Sequence, residues 1–186
     1  TTGSTGKRKK KKVDCNQYTP IKAATMHDDC ITAILKMQDT HKLTTCGHDR
    51  RIQQLDTTTL SRVCSVLSPS HITTAASLSS YTLQALGHAD GHLRLYDPTS
   101  NRFTYSTAKS PSKPWISSVS RNKQKQNLLA VADHGGCVEL FDVRQMGECL
   151  WRNRGGVGKV LAVDFSSDGN MLYYGGEQCI LCEYSL

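Results

Sequence analysis

Large aromatic side chains are scarce in this chain: three Phe, two Trp and seven Tyr make up 6% of its 186 residues. Its core must therefore be built mainly from Leu, Val, Ile, Ala and Cys. No apolar run approaches the length of a membrane-crossing helix, and no secretory signal is visible. The eight cysteines, at 15, 30, 46, 64, 137, 149, 179 and 182, form no dense disulfide framework. Several fall inside apolar strand patterns, where a reduced Cys behaves as a small hydrophobe. An intracellular, reducing compartment is expected on that ground. There is no Gly-x-Ser-x-Gly elbow and no Cys or Ser beside a His in a nucleophile pattern, and the carboxylates are scattered with nothing to suggest an acid/base pair. We expect no enzyme activity, no cofactor and no small-molecule substrate. Cys179-x-x-Cys182 is the one close cysteine pair. On a strand, residues three apart point to opposite faces, and no second pair completes a finger, so no metal is expected.

What the chain does have is a repeated hairpin. CGHDRRIQQLD (46–56), LGHADGHLRLYD (86–97) and VADHGGCVELFD (131–142) each read as strand, tight turn, strand; YYGGEQCILCEYS (173–185) is a looser fourth copy. The first three end at Asp56, Asp97 and Asp142, in steps of 41 and 45 residues. That is the period of a propeller blade, one four-stranded sheet per repeat. Four strands are expected in each of the first three units: Cys30–Leu35, Leu43–Cys46, Ile52–Leu55 and Leu60–Leu67; Ile72–Leu78, Tyr81–Leu86, His92–Tyr96 and Arg102–Thr107; Trp115–Ser120, Leu128–Ala132, Cys137–Phe141 and Glu148–Arg152. The fourth unit offers three: Val160–Phe165, Met171–Tyr174 and Ile180–Tyr184. The expected fold is an all-β propeller of about four blades spanning 15–186, the C-terminal part of a longer ring with an open blade edge at each end. The chain begins at Thr1, which adds to the expectation of a missing natural N-terminus.

Asp49 and Asp90 lie seven residues before Asp56 and Asp97, where a carboxylate would accept hydrogen bonds from turn amides. The third unit has Gly135 there, expected to take a left-handed turn, and the fourth has Glu177 or Gln178. His27 and His71 precede their units by 29 and 26 residues relative to the terminal Asp. Each is placed to bond the turn Asp of its own unit. Because such residues recur once per unit and converge on no single site, His27, Asp49, Asp56, His71, Asp90, Asp97 and Asp142 are read as structural turn residues.

The net charge is +7, and six positive residues stand together at Lys7, Arg8, Lys9, Lys10, Lys11 and Lys12. Residues 1–14 cannot bury apolar surface and read as a basic flexible linker. GSTGK is not a phosphate loop: Thr1 stands where Gly is required, and Arg8 where a hydroxyl residue is required. The run KRKKKK would bind RNA phosphates without reading sequence, target the chain to the nucleus, or simply keep it solvated.

The repeat resembles the WD-repeat family through Asp49 and Asp56, Asp90 and Tyr96-Asp97, and Phe141-Asp142. Tryptophan is absent from its dipeptide slots. The order of features is similar to one family in particular. A basic junction leads to Thr19-Pro20-Ile21. GHLRLYDP (91–98), VLAVDF (160–165) and a Gly-Gly strand finishing in Glu183-Tyr184-Ser185 follow. These resemble the WD-repeat ribosome-biogenesis proteins of the PeBoW complex. The resemblance implies a seven-bladed ring with a basic insertion, and a ubiquitin-like domain in front on which a remodelling ATPase pulls. It implies a scaffold for ribosomal RNA maturation and pre-60S particle assembly, in the nucleolus and nucleoplasm of the nucleus. Its partners would be the propeller of the block-of-proliferation protein, pescadillo, and the pre-60S particle with its ribosomal RNA; no membrane is implied. A WD-repeat adaptor of another nuclear complex, such as a ubiquitin ligase or chromatin reader, is the alternative.

Overall fold

The computed structural model describes residues 22–37, 40–78, 82–107, 114–154 and 158–186. The basic run Lys7–Lys12 lies outside the described residues, as do Thr19-Pro20-Ile21 and the linker as a whole. Fifteen strands are present among the described residues, and no helix. They form four antiparallel sheets in sequence order, a β-propeller-like arrangement.

The first sheet holds β1 (Ile31–Lys36), β2 (Lys42–Gly47), β3 (Arg51–Asp56) and β4 (Arg62–Leu67). The second holds β5 (Ile72–Ser77), β6 (Gln84–His88), β7 (Leu93–Asp97) and β8 (Arg102–Ser106). The third holds β9 (Ile116–Arg121), β10 (Leu128–Asp133), β11 (Cys137–Asp142) and β12 (Cys149–Arg154). The fourth has three strands, β13 (Val160–Phe165), β14 (Met171–Gly176) and β15 (Leu181–Ser185). Each expected strand has its counterpart, with ends shifted by at most two residues except at β6, which begins at Gln84, three residues after the expected start at Tyr81, itself outside the described residues. β4 starts at Arg62, two residues late, because the Asp56 turn runs on through Thr57–Thr59 and Leu60 takes a φ of 55°.

Burial explains the strand sequences. The middle strands β6 and β7 are enclosed on both faces; Ala85, Leu86, Leu93, Leu95 and Tyr96 supply their apolar surface, and Gln84, His88 and Arg94 are buried among them. The outer strands β8 and β12 alternate half-buried with exposed, the period-two pattern of a strand with one wet face. Three apolar clusters lie between successive sheets. Cys46 and Ile52 of the first sheet meet Ile72, Leu86 and Tyr96 of the second. Leu93 and Leu95 meet Ile116, Val119 and Phe141. Val138 and Leu140 meet Val160, Val163 and Leu172.

A second device ties the sheets together. Each first strand carries a one-residue bulge opposite its neighbour, at Thr32, Thr73, Ser117 and Leu161. A bulge re-aims the extra side chain. Thr32 Oγ1 donates to the carbonyl of Ile72 at 2.9 Å, Thr73 Oγ1 to Ile116 at 2.5 Å, and Ser117 Oγ to Val160 at 2.6 Å. Every one of these bonds runs from one first strand to the next. Leu161 has no hydroxyl to donate and stands 51% exposed.

Candidate interaction surfaces

The turn residues are the first candidates, and the structure gives each a definite partner. In the first sheet, His27 Nδ1 lies 2.9 Å from both carboxylate oxygens of Asp49, and its Nε2 lies 2.9 Å from Thr45 Oγ1. A carboxylate only accepts, so Nδ1 carries a proton. Asp49 also accepts from the backbone N–H of Arg51 and of Asp28. Burial pushes the Asp49 carboxyl upward, but the His27 and backbone hydrogen bonds outweigh it and hold it below the usual carboxylate range. Gly47 makes this possible: a Cβ there would stand 2.8 Å from His27 Nδ1 and 2.9 Å from Asp49 Oδ1.

The second sheet is built differently. His71 bonds the backbone carbonyl of His48, in the preceding sheet, and does not bond Asp90 as expected. Asp90 instead takes a bidentate contact from Arg94, at 3.0 and 2.7 Å, and the backbone N–H of His92. The physical reason lies at the position equivalent to Gly47, which pairs with the first residue of the first strand in both sheets. There the second sheet has His88. Its imidazole fills the space that Gly47 leaves for His27. It is fully buried, with Nε2 2.8 Å from Ser68 Oγ and Nδ1 facing the carbonyls of Leu86 and His92. Burial, reinforced by the Arg94 charge, pushes the His88 pKa down to about 4.

The third sheet corrects the expectation for Gly135. The acceptor of that turn is Asp133, two residues upstream, whose Oδ1 receives the N–H groups of Gly135 and Cys137 at 2.8 and 2.9 Å. The left-handed residue is Gly136, at φ 79°, the counterpart of Arg50, Gly91 and Cys179 in the other sheets. In the fourth sheet Glu177 pairs with Lys159 at 3.1 Å on the surface. Cys179 sits in this turn with φ 58°, ahead of β15, and only Cys182 is on a strand. Among the described residues no three potential metal ligands come together.

At the opposite ends of the sheets the terminal acids cap their own turns. Asp56 accepts from the N–H of Thr58 and Thr59. Asp97 accepts from the N–H and hydroxyl of Thr99 and from Ser100. Asp142 accepts from Arg144. These hydrogen bonds hold all three carboxyls below their usual range. The seven turn residues thus have local partners and are not gathered into one cleft.

The faces of the first and last sheets differ from the interior ones in a telling way. Ile72, Ile116 and Val160 open their strands and are buried against the preceding sheet; Ile31, at the same position, is 47% exposed. Val119 and Val163 are buried, while their counterpart Ile34 is 63% exposed. On the other side, Ile52, Leu93 and Val138 are buried against the following sheet, and their counterpart Leu181 is 74% exposed. Leu161 lies on the same last sheet. Sequence reasoning did not single out these side chains. Only the register equates them with buried ones.

No family model matches this chain, and no curated protein does.

Proposed function

We propose that the chain is a non-enzymatic scaffold, four blades of a seven-bladed WD-repeat ring, working in biogenesis of the large ribosomal subunit. The observation that carries the ring is the exposure of Ile31 and Leu181 at positions that are buried wherever another sheet stands alongside, with Ile34 exposed where its counterparts Val119 and Val163 are buried and Ala75 is partly buried. A sheet of the same kind on each side would bury them, and the open edge of β15 would take a fourth strand. The division into a basic linker at 1–14 and blades at 15–186 belongs to this reading.

The assignment to ribosome assembly rests on the order of the motifs and on the run Lys7–Lys12. The ring would dock on the propeller of the block-of-proliferation protein. It would act with pescadillo on the pre-60S particle and its ribosomal RNA, in the nucleolus and nucleoplasm. The basic run would contact RNA phosphates or direct the chain to the nucleus. Affinity purification of the full-length protein tests this. Recovery of large-subunit assembly factors with precursor RNA is expected. Recovery of a ubiquitin-ligase or chromatin complex without them would replace this reading with that of a nuclear adaptor.

A further inference from the structure

The last residues of three successive first strands, Lys36 of β1, Ser77 of β5 and Arg121 of β9, line one cavity of about 170 Å³. Thr40, Thr82 and Thr99 add hydroxyls to its wall, and among the described residues no Asp or Glu lines it. Thr99 is already engaged by Asp97; among the described residues of the wall the two cations have no such counterpart. Arg121 Nη1 is enclosed by protein and has no hydrogen-bond partner. Gln84, also in the wall, donates through Nε2 to Thr44 at 2.9 Å, and its Oε1 is enclosed and unpartnered.

These features point to a ligand. A guanidinium N–H enclosed without an acceptor is costly even where the rest of the group reaches water, and an anion that accepts from it removes the cost. Partial burial lowers the Arg121 pKa. The space admits one tetrahedral oxyanion and a few attached atoms. Among the described residues of the wall there is no aromatic ring of the kind on which a single-stranded RNA platform stacks its bases. A free acceptor beside free donors suits a group that carries both oxyanion and hydroxyl.

We propose that this cavity binds a phosphate group, as inorganic phosphate or as a small hydroxylated phosphate monoester, with Arg121 and Lys36 as its counter-charges and Gln84 Oε1 accepting its hydroxyl. The site is independent of ring closure and of any role in ribosome assembly.

Calorimetric titration of the 186-residue chain in chloride buffer at fixed ionic strength tests it, with inorganic phosphate and glycerol 3-phosphate as probes. Saturable binding is expected for at least one of them. Arg121→Met and Lys36→Met should each weaken it by about tenfold or more, the loss expected for a charge-assisted contact. Arg121→Met should melt no lower than the native protein in phosphate-free buffer, because it removes an uncompensated charge. Its melting temperature should not rise with phosphate, whereas that of the native protein should. Tighter binding of the ester identifies a monoester as the ligand, and equal or weaker binding identifies the free ion; both support the site. Absence of saturation with either probe, or binding unchanged in Arg121→Met and Lys36→Met, overturns it. If Arg121→Met fails to fold, Lys36→Met decides alone. A short RNA that competes for Arg121 where neither small phosphate binds would also overturn it.

Discussion

Arg50 and Cys179 hold left-handed backbone conformations, at φ 63° and 58°, in hairpins whose counterparts use Gly91 and Gly136. For an L-residue that conformation costs roughly 1–2 kcal/mol, and glycine escapes most of it. Arg50→Gly should therefore raise stability by about 1 kcal/mol, less what glycine loses in the unfolded chain. A urea midpoint that falls would mean the exposed Arg50 side chain stabilises the turn more than its backbone strains it. His88 makes a second prediction at this scale. Its pKa falls from 6.5 unfolded to about 4 folded, so the unfolded chain binds the extra proton between those values. Its contribution is fully present above pH 6.5 and is lost as pH falls towards 4. The displacement corresponds to about 3 kcal/mol. His88→Gln should flatten the rise in melting temperature between pH 4 and 6.5, and an unchanged slope would assign that rise to other groups.

The hairpins and bulges belong to the scale of the element. Thr32, Thr73 and Ser117 each reach a carbonyl in the next sheet from a bulge. Replacing Thr73 by Val removes the donor and leaves the Ile116 carbonyl without it. The expected loss is about 1 kcal/mol, the usual net worth of such a bond. Thr104→Val, on an outer strand where Oγ1 lies 3.5 Å from its acceptor, is the control. Equal losses would show that the ladder between first strands is not special. The strands themselves were legible in the sequence because alternation and turn chemistry are local properties: β7 and β11 end at Asp97 and Asp142, where the residues that follow need a capping carboxylate. The network at each turn was legible only in part. Asp49 is a local signal, but whether His27 or His71 reaches its Asp depends on Gly47 in one sheet and His88 in the other, which meet the histidines only through strand pairing. Asp133 was missed because its slot is occupied by Gly47 and His88 in the other copies. Arg121 and Gln84 lie in different sheets, and nothing in their spacing brings them together.

At the scale of the whole molecule the question is what covers the two outer faces. Val138 and Leu181 occupy equivalent positions, yet one is enclosed and the other is 74% exposed. A fully buried apolar side chain of this kind is worth about 1.5–3 kcal/mol, so exposing Leu181 forfeits a contact that each interior junction makes. Substituting Asp separates the two environments. Val138→Asp should unfold the chain, since it buries an unpaired carboxylate between the third and fourth sheets. Leu181→Asp and Ile31→Asp should leave the melting temperature of the 186-residue chain within a degree or two, because both side chains already stand in water. The same substitutions in the full-length protein should lower its melting temperature by several degrees, about what a loss of 2–3 kcal/mol produces in a domain of this size, because there each would be pressed against another sheet. Thermal melts of both lengths check this. A drop in the short chain equal to that of Val138→Asp would mean that the face is packed from within, and an unperturbed full-length protein would remove the reason for placing further sheets beside it.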